Sequence, residues 1–162
     1  SWMGNEFALA ITEPGTTEFE NSVFAIVKAE HADQALIKLN ALQQKLGVKK
    51  APQTYKNRPI GILQRGDFLS LFYGKTFQRL NNPYFALVNG YVIFANQQSA
   101  LKNLIDEIDA GKTLTHNLAY RKSIASENQP SYLDLYLNFN SGLNLIKAAL
   151  GQEILKQLSS SA

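Results

Sequence analysis

Apolar residues recur along the chain with two periods, and these periods predict strands and helices in alternation. The apolar runs over residues 6–12 and 22–29 predict two strands, the second buried on both faces. The turn signal Pro14-Gly15 separates them. A helix follows, and Gly47 stands where a helix-ending glycine belongs. The apolar stripe of this helix consists of Ala32, Ala35, Leu36, Leu39, Leu42 and Leu46.

A polar stretch follows the first helix and predicts a loop from Val48 to Pro59. It contains two prolines and a run of cations, features that interrupt regular structure. Beyond it, the short apolar run over 60–64 predicts a strand, and residues 67–71 predict one helical turn.

The pair Asn89-Gly90 is the strongest local signal in the chain. It separates two β-branched and aromatic runs, over 85–88 and 91–94, and both of its positions tolerate positive φ. We therefore expect a hairpin with a two-residue turn. Asn96 then predicts the N-cap of a helix that ends at Gly111.

Residues 131–139 alternate between polar and apolar side chains, which predicts a half-buried strand. A last amphipathic helix is predicted from about residue 141. The chain thus predicts a single α+β domain over residues 1–162. We expect a mixed or mainly antiparallel sheet of about five or six strands with helices on one face. Residues 6–46 and 84–110 share the order strand, strand, helix. This order is compatible with repeated ββα units and equally with two independent copies of a common arrangement.

Composition limits the classes of function. The absence of cysteine excludes disulfides, thiolate zinc sites and cysteine nucleophiles. The formal net charge of +3 is small for a protein dedicated to nucleic acid, so we expect no nucleic-acid partner. No apolar run approaches the roughly 20 residues of a membrane span. Since Met3 is internal to Ser1–Gly4, we expect this sequence to be a fragment of a longer chain.

Motifs with catalytic potential are weak. The Gly-Lys-Thr triplets at 74–76 and 111–113 lack the upstream glycine of a phosphate-binding loop. His31 and His116 are isolated and predict no metal site. The carboxylates that a hydrolase could use are Glu6, Glu13, Glu18, Glu20 and Glu30, and nothing in the sequence brings two of them together. We therefore predict no catalytic residue, metal or cofactor.

Two sets of residues are candidates for binding. The first is a basic loop that could contact phosphate, anionic lipid or an acidic partner, or could simply be solvated. The second is the polar face of the strand at 131–139, which could bind a partner or lie under a helix. The loop candidates are Lys49, Lys50, Lys56 and Arg58, and the strand candidates are Tyr132, Asp134, Tyr136 and Asn138.

Several segments occur together in a characteristic order: Trp2–Leu9, the hairpin Tyr84–Asn96, the helix that begins at Ser99, the run Gly111–Leu114 and the aromatic Tyr120. In this order the chain, over roughly residues 2 to 140, resembles a family of uncharacterised bacterial envelope-associated proteins. It implies part of a larger protein in the periplasm or cell envelope, often with an N-terminal membrane or lipid anchor. It implies no activity and no site residue.

These observations favour a non-enzymatic binding or structural module of a larger bacterial envelope protein. Its partner would be another protein or the rest of its own chain. One alternative is a domain that binds a small hydrophobic or lipid ligand between sheet and helices, because the chain has seven Tyr, nine Phe and one Trp. Another alternative is an unrecognised carboxylate-based hydrolase.

Overall fold

The computed structural model describes residues 2–12 and 23–124, which form an α+β fold. The strands are β1 (Met3–Ile11), β2 (Val23–Ala29), β3 (Gln53–Tyr55), β4 (Arg58–Ile62), β5 (Tyr84–Val88) and β6 (Tyr91–Ala95). The helices are α1 (Ala32–Lys45), α2 (Phe68–Tyr73), α3 (Gln98–Asp109) and α4 (Leu118–Ile124), with short 3-10 segments at Lys75–Arg79 and Leu114–His116. The six strands form one antiparallel sheet in the order β1-β2-β6-β5-β4-β3. The predicted fold class is confirmed.

Strands β2 and β6 lie side by side in the centre of the sheet. Their register places Phe24 opposite Ala95, and Val27 opposite Val92. Both strands are apolar at consecutive positions, so they present apolar side chains to both faces of the sheet. Each face therefore needs a cover.

Helices α1 and α2 cover the first face. Ala35 and Leu39 of α1 and Leu69 of α2 pack in one cluster with Val92 and Phe94 of β6. Trp2 is buried in the same cluster at 6% exposure.

Helix α3 covers the opposite face. Its buried stripe of Ala100, Leu101 and Ile105 packs against the other side chains of the central strands, among them Phe24 and Ile93. The sequence-based placement of the helices on one face is therefore wrong, because central strands that are apolar on both sides bury their side chains only if both faces are covered.

The two segments proposed as repeats each form two strands and a helix. Their helices differ in placement, since α1 packs on one face of the sheet and α3 on the other. The shared order of elements therefore does not extend to a shared packing arrangement.

The Asn89-Gly90 turn joins β5 to β6 as the sequence predicts. Both residues have positive φ, 50° and 84°, and Val88 pairs with Tyr91 across the turn. This geometry is that of the two-residue turn whose twist matches antiparallel strands.

The region predicted as a loop from Val48 to Pro59 instead contains a second tight hairpin. Strands β3 and β4 are joined by Lys56 and Asn57, whose φ values are 45° and 61°. The prediction fails because β3 is a three-residue edge strand with no apolar alternation. Pro59 is tolerated because the ladder with β5 begins only at Ile60.

Asn96 does not cap α3, whose N-cap is Gln97. The Asn96 side chain instead fixes the chain before β5. Its Oδ1 accepts from the backbone N–H of Asn81 at 2.8 Å, and its Nδ2 donates to the carbonyl of Arg79 at 2.7 Å. The amide therefore serves tertiary packing rather than the helix end.

The strand predicted at 131–139 and the helix predicted after it lie outside the described residues. Within residues 2–12 and 23–124, every helix is too short or too polar to cross a membrane.

The fold predicts a large effect of a small substitution at Gly61. A Cβ atom there would lie 2.3 Å from Cζ of Phe85 and 2.9 Å from Oε1 of Gln43. We expect Gly61→Ala to lower the free energy of unfolding by about 1–3 kcal/mol, the usual cost of overpacking. Urea denaturation followed by circular dichroism measures it.

The matched control is Gly61→Ala combined with Phe85→Leu, which removes the ring that the new methyl group meets. If the clash is the cause, the double variant loses less stability than the sum of the two single losses. Strict additivity would contradict the assignment.

Candidate functional site

Helix α3 carries a polar stripe that faces the β3–β4 hairpin. Its members follow one another by four, four and three positions, the spacing that places side chains on one side of a helix. They are Gln98, Lys102, Asp106 and Asp109. The stripe runs beside the buried stripe of the same helix, so α3 contacts the sheet with one side and the edge hairpin with the other.

Residues of the hairpin pair with this stripe along its length. Gln98 Nε2 donates to Gln53 Oε1 at 2.8 Å at one end. At the other end Arg58 donates to both carboxylate oxygens of Asp109, at 2.8 and 3.0 Å. This two-bond geometry is the strong form of an arginine–carboxylate contact. We call this set of pairs the polar seam.

Tyr55 and Lys56 form the middle of the polar seam. The Tyr55 hydroxyl donates to Asp106, with 2.8 Å to Oδ2, and Lys56 forms ion pairs with both Asp106 and Asp109. The Nζ atoms of Lys56 and Lys102 lie 5.9 and 5.4 Å from the Tyr55 ring centroid, within range of a cation–π interaction. The seam therefore fastens the edge hairpin to α3.

The charges of the polar seam shift one another's titration. Hydrogen bonds from Lys56 and then Tyr55 lower the pKa of Asp106, and the bond from Arg58 lowers the pKa of Asp109. The bond to Asp106 raises the pKa of both Tyr55 and Lys56. Both carboxylates are thus held in the ionised form.

The basic loop of the sequence analysis is divided by the structure. Lys56 and Arg58 lie in the polar seam, where aspartates balance them. Lys49 and Lys50 lie before β3 and are exposed, and neither forms an ion pair with a described residue. Lys45, in the last turn of α1, is exposed in the same way. We call Lys45, Lys49 and Lys50 the basic surface.

Gln43 of α1 fixes the position of the basic surface relative to the sheet. Its side chain is 5% exposed and is the one polar side chain that the structure buries in the part of the chain it describes. Its Nε2 donates to the carbonyl of Lys50 at 2.7 Å, while its Oε1 accepts from the N–H of Ile62 at 3.4 Å. One buried amide therefore links α1, the loop and β4.

Lys50 also contacts an aromatic residue of the sheet. Its Nζ lies 3.4 Å from the hydroxyl of Tyr84 and 5.3 Å from the centroid of that ring. Tyr84 begins β5 and pairs with Ile62 of β4, so the strand ladder holds the ring in place. The lysine head group is positioned by this ring rather than by a carboxylate.

Other residues singled out by the sequence are not brought together. His31 occupies the N-cap position of α1, and its side chain forms no capping hydrogen bond. His116 contacts Thr113 within its own turn, at 2.9 Å. It lines a shallow hollow of about 480 Å³ at residues 111–117, beyond the end of α3. Among the described residues, no group of three or more potential metal ligands converges.

Of the glutamates considered for hydrolysis, the structure describes Glu6 and Glu30. Glu6 pairs with Lys28 and accepts from the Tyr91 hydroxyl, and the Lys28 hydrogen bond lowers the pKa of Glu6. A general acid needs a raised pKa, so this environment suits a structural carboxylate. Glu13, Glu18 and Glu20, and the strand candidates Tyr132, Asp134, Tyr136 and Asn138, lie outside the described residues.

Sequence reasoning missed the aspartates of the polar seam as partners of the basic loop. The available signal was the spacing of polar residues along α3, which favours one shared side of the helix. Nothing in the sequence shows that the hairpin lies against that side. Gln43 and Tyr84 carried no signal of their own.

The polar seam predicts acid sensitivity of the β3–β4 hairpin. The pKa of Asp106 and of Asp109 lies below the ordinary value of 3.8, so their stabilising effect is complete above that value. It is lost as the pH falls from there through the lowered pKa. We expect the protection of the Gln53–Tyr55 amides against hydrogen exchange, relative to their intrinsic rates, to fall over this range. At high salt the fall should begin at a higher pH, because salt screens the ion pairs.

The double variant Asp106→Asn/Asp109→Asn should have low protection of the hairpin amides already at neutral pH. Its protection should no longer change with pH below about 4. Asp33→Asn, on the exposed side of α1, is the matched control and should leave the hairpin unchanged. An acid profile that persists in the double asparagine variant would show that other groups produce it.

Gln43→Leu tests the buried link. The substitution leaves the Lys50 carbonyl and the Ile62 N–H without their partner, and a buried unsatisfied group costs about 1–3 kcal/mol. We expect a loss of that size in urea denaturation, together with altered amide resonances at Lys49 and Lys50. Gln44→Leu, one position along on the exposed side, is the control. Equal losses in the two variants would contradict a specific role for Gln43.

No curated protein and no solved structure matches the chain. One family model, described as a protein of unknown function (DUF3352), matches residues 1–161. Because this match covers almost the whole chain, the protein belongs to that family of unknown function.

Proposed function

We propose that this domain is a non-enzymatic binding module of a larger bacterial envelope protein. We further propose that it contacts its partner through the basic surface. The observation that carries the proposal is a difference in ion pairing between neighbouring basic residues. Lys56 and Arg58 have carboxylate partners, whereas Lys45, Lys49 and Lys50 have none among the described residues. A partner with negative charge would complement these three lysines.

The way in which the loop is held supports a binding role. Burying a polar side chain is favourable only when its hydrogen bonds are satisfied, and the buried Gln43 is bonded to the loop that bears Lys49 and Lys50. A loop fixed before binding loses less conformational entropy when the partner arrives. The location in the envelope is supported by the family resemblance alone.

Affinity purification of the full-length parent protein from its own cells, with crosslinking and mass spectrometry, tests the proposal. We expect a reproducible partner whose recovery falls at least about tenfold in the variant Lys45→Glu/Lys49→Glu/Lys50→Glu, because reversed charge repels an acidic partner. The control Lys38→Glu/Lys75→Glu/Lys122→Glu makes the same change in net charge at exposed positions elsewhere. It should retain the partner.

Two outcomes would count against the proposal. If Tyr132→Ala/Tyr136→Ala abolishes recovery while the lysine variant does not, the contact lies on the predicted strand face. If the purified domain turns over a small substrate and a single side-chain substitution removes that turnover, the module is an enzyme.

A further inference from the structure

Lys50 makes contacts through both its backbone and its head group. Its carbonyl accepts a hydrogen bond from the buried Gln43 side chain at 2.7 Å, and its Nζ lies 3.4 Å from the Tyr84 hydroxyl. Lysine side chains normally lose much rotamer entropy when they bind. The contact with the Tyr84 ring favours one position of the Lys50 head group and so lowers that loss.

The contact between Lys50 and Tyr84 leaves hydrogen-bond donors unused. An ammonium group has three N–H donors, and one of them points to the Tyr84 oxygen. Because that oxygen accepts, the hydroxyl hydrogen of Tyr84 is available to donate elsewhere. Two donors of different kinds therefore stand side by side at an exposed position, with a positive charge on one of them.

We propose that Lys50 Nζ and Tyr84 Oη form an oxyanion clamp that binds one carboxylate group of an acidic polypeptide. The inference rests on the proposed function and names the chemistry of its partner. The ammonium would donate to one carboxylate oxygen and the hydroxyl to the other, which are charge-assisted hydrogen bonds.

A carboxylate matches the clamp because it offers one oxygen to the ammonium and one to the hydroxyl. A phosphate group also offers acceptor oxygens to both donors, so phosphate is the competing ligand in the test of the clamp. Lys45 and Lys49 lie nearby in sequence and add positive charge for further carboxylates of the same segment.

Titration of the whole 162-residue chain with acetylated hexaglutamate tests the clamp. Amide and tyrosine resonances report the site, and their shifts give the affinity. We expect the peptide to shift the amide of Lys50 and the ring of Tyr84, and hexaglutamine to shift neither. Tyr84→Phe and Lys50→Met should each weaken hexaglutamate binding by about tenfold, the size of one charge-assisted hydrogen bond.

Two matched controls separate the clamp from general attraction. Lys45→Met removes the same charge from the basic surface and should weaken binding by less than about threefold, since it lies outside the clamp. Tyr91→Phe removes a hydroxyl that donates to Glu6 and should have no effect. The double variant Tyr84→Phe/Lys50→Met should lose less than the product of the single losses, because both groups hold one ligand.

Three results would overturn the clamp. Wild-type affinity of Tyr84→Phe would remove the hydroxyl from the site. Equal losses for Lys45→Met and Lys50→Met would reduce the effect to diffuse charge. Clamp-dependent binding of inorganic phosphate or phosphatidylglycerol vesicles, without binding of hexaglutamate, would make the ligand a phosphate.

The clamp and the proposed function can fail separately. If Tyr84→Phe is silent but recovery of the parent protein's partner still depends on the basic surface, the function stands and the clamp falls. If hexaglutamate binds as expected but charge reversal leaves partner recovery unchanged, the clamp stands and the assigned surface falls.

Discussion

The antiparallel pairing of β2 with β6 is the constraint on which the rest of the structure depends. Every position of β2 from Phe24 to Val27 is paired with an apolar residue of β6. Successive side chains point to opposite faces, so both faces of the sheet are apolar here. Such a pair is stable in water only when both faces are covered. The covers are α1 with α2 on one face and α3 on the other. The loop that bears Lys49 and Lys50 follows α1, and the β3–β4 hairpin lies against α3, so the positions of these helices place both candidate sites.

The outer strands have much less apolar surface and depend on polar contacts. Strand β3 contains three residues, of which Gln53 and Thr54 are exposed. Hydrophobic burial cannot hold such a strand, so the polar seam to α3 supplies much of its attachment. Exposed ion pairs are individually weak, but here several share Asp106 and Asp109, and a tyrosine hydroxyl joins them. The edge hairpin is therefore the part of the sheet most sensitive to salt and acid.

In the same arrangement, some basic side chains are paired with carboxylates and others are exposed without such a partner among the described residues. Charges that lie between hairpin and helix are neutralised where they stand, as Arg58 is by Asp109. Of the basic surface, Lys45 lies in the last turn of α1 and Lys49 and Lys50 follow that helix, and none of the three forms an ion pair with a described residue. What anchors their loop is the buried amide of Gln43 and what supports Lys50 is the ring of Tyr84. Positive charge on a fixed backbone is the feature that the proposed binding role uses.

The sequence by itself determined those elements whose cause is local. The Asn89-Gly90 turn, the strands beside it, the apolar stripes of α1 and α3 and the helix ends at Gly47 and Gly111 were all predictable, because periodicity and positive φ are properties of short segments. The tertiary structure alone decided which face each helix covers, that Lys56 and Arg58 meet Asp106 and Asp109 some 50 positions later, and that Lys50 rests on Tyr84. These contacts join residues far apart in the chain, and no local pattern records which of several possible partners will be brought within reach.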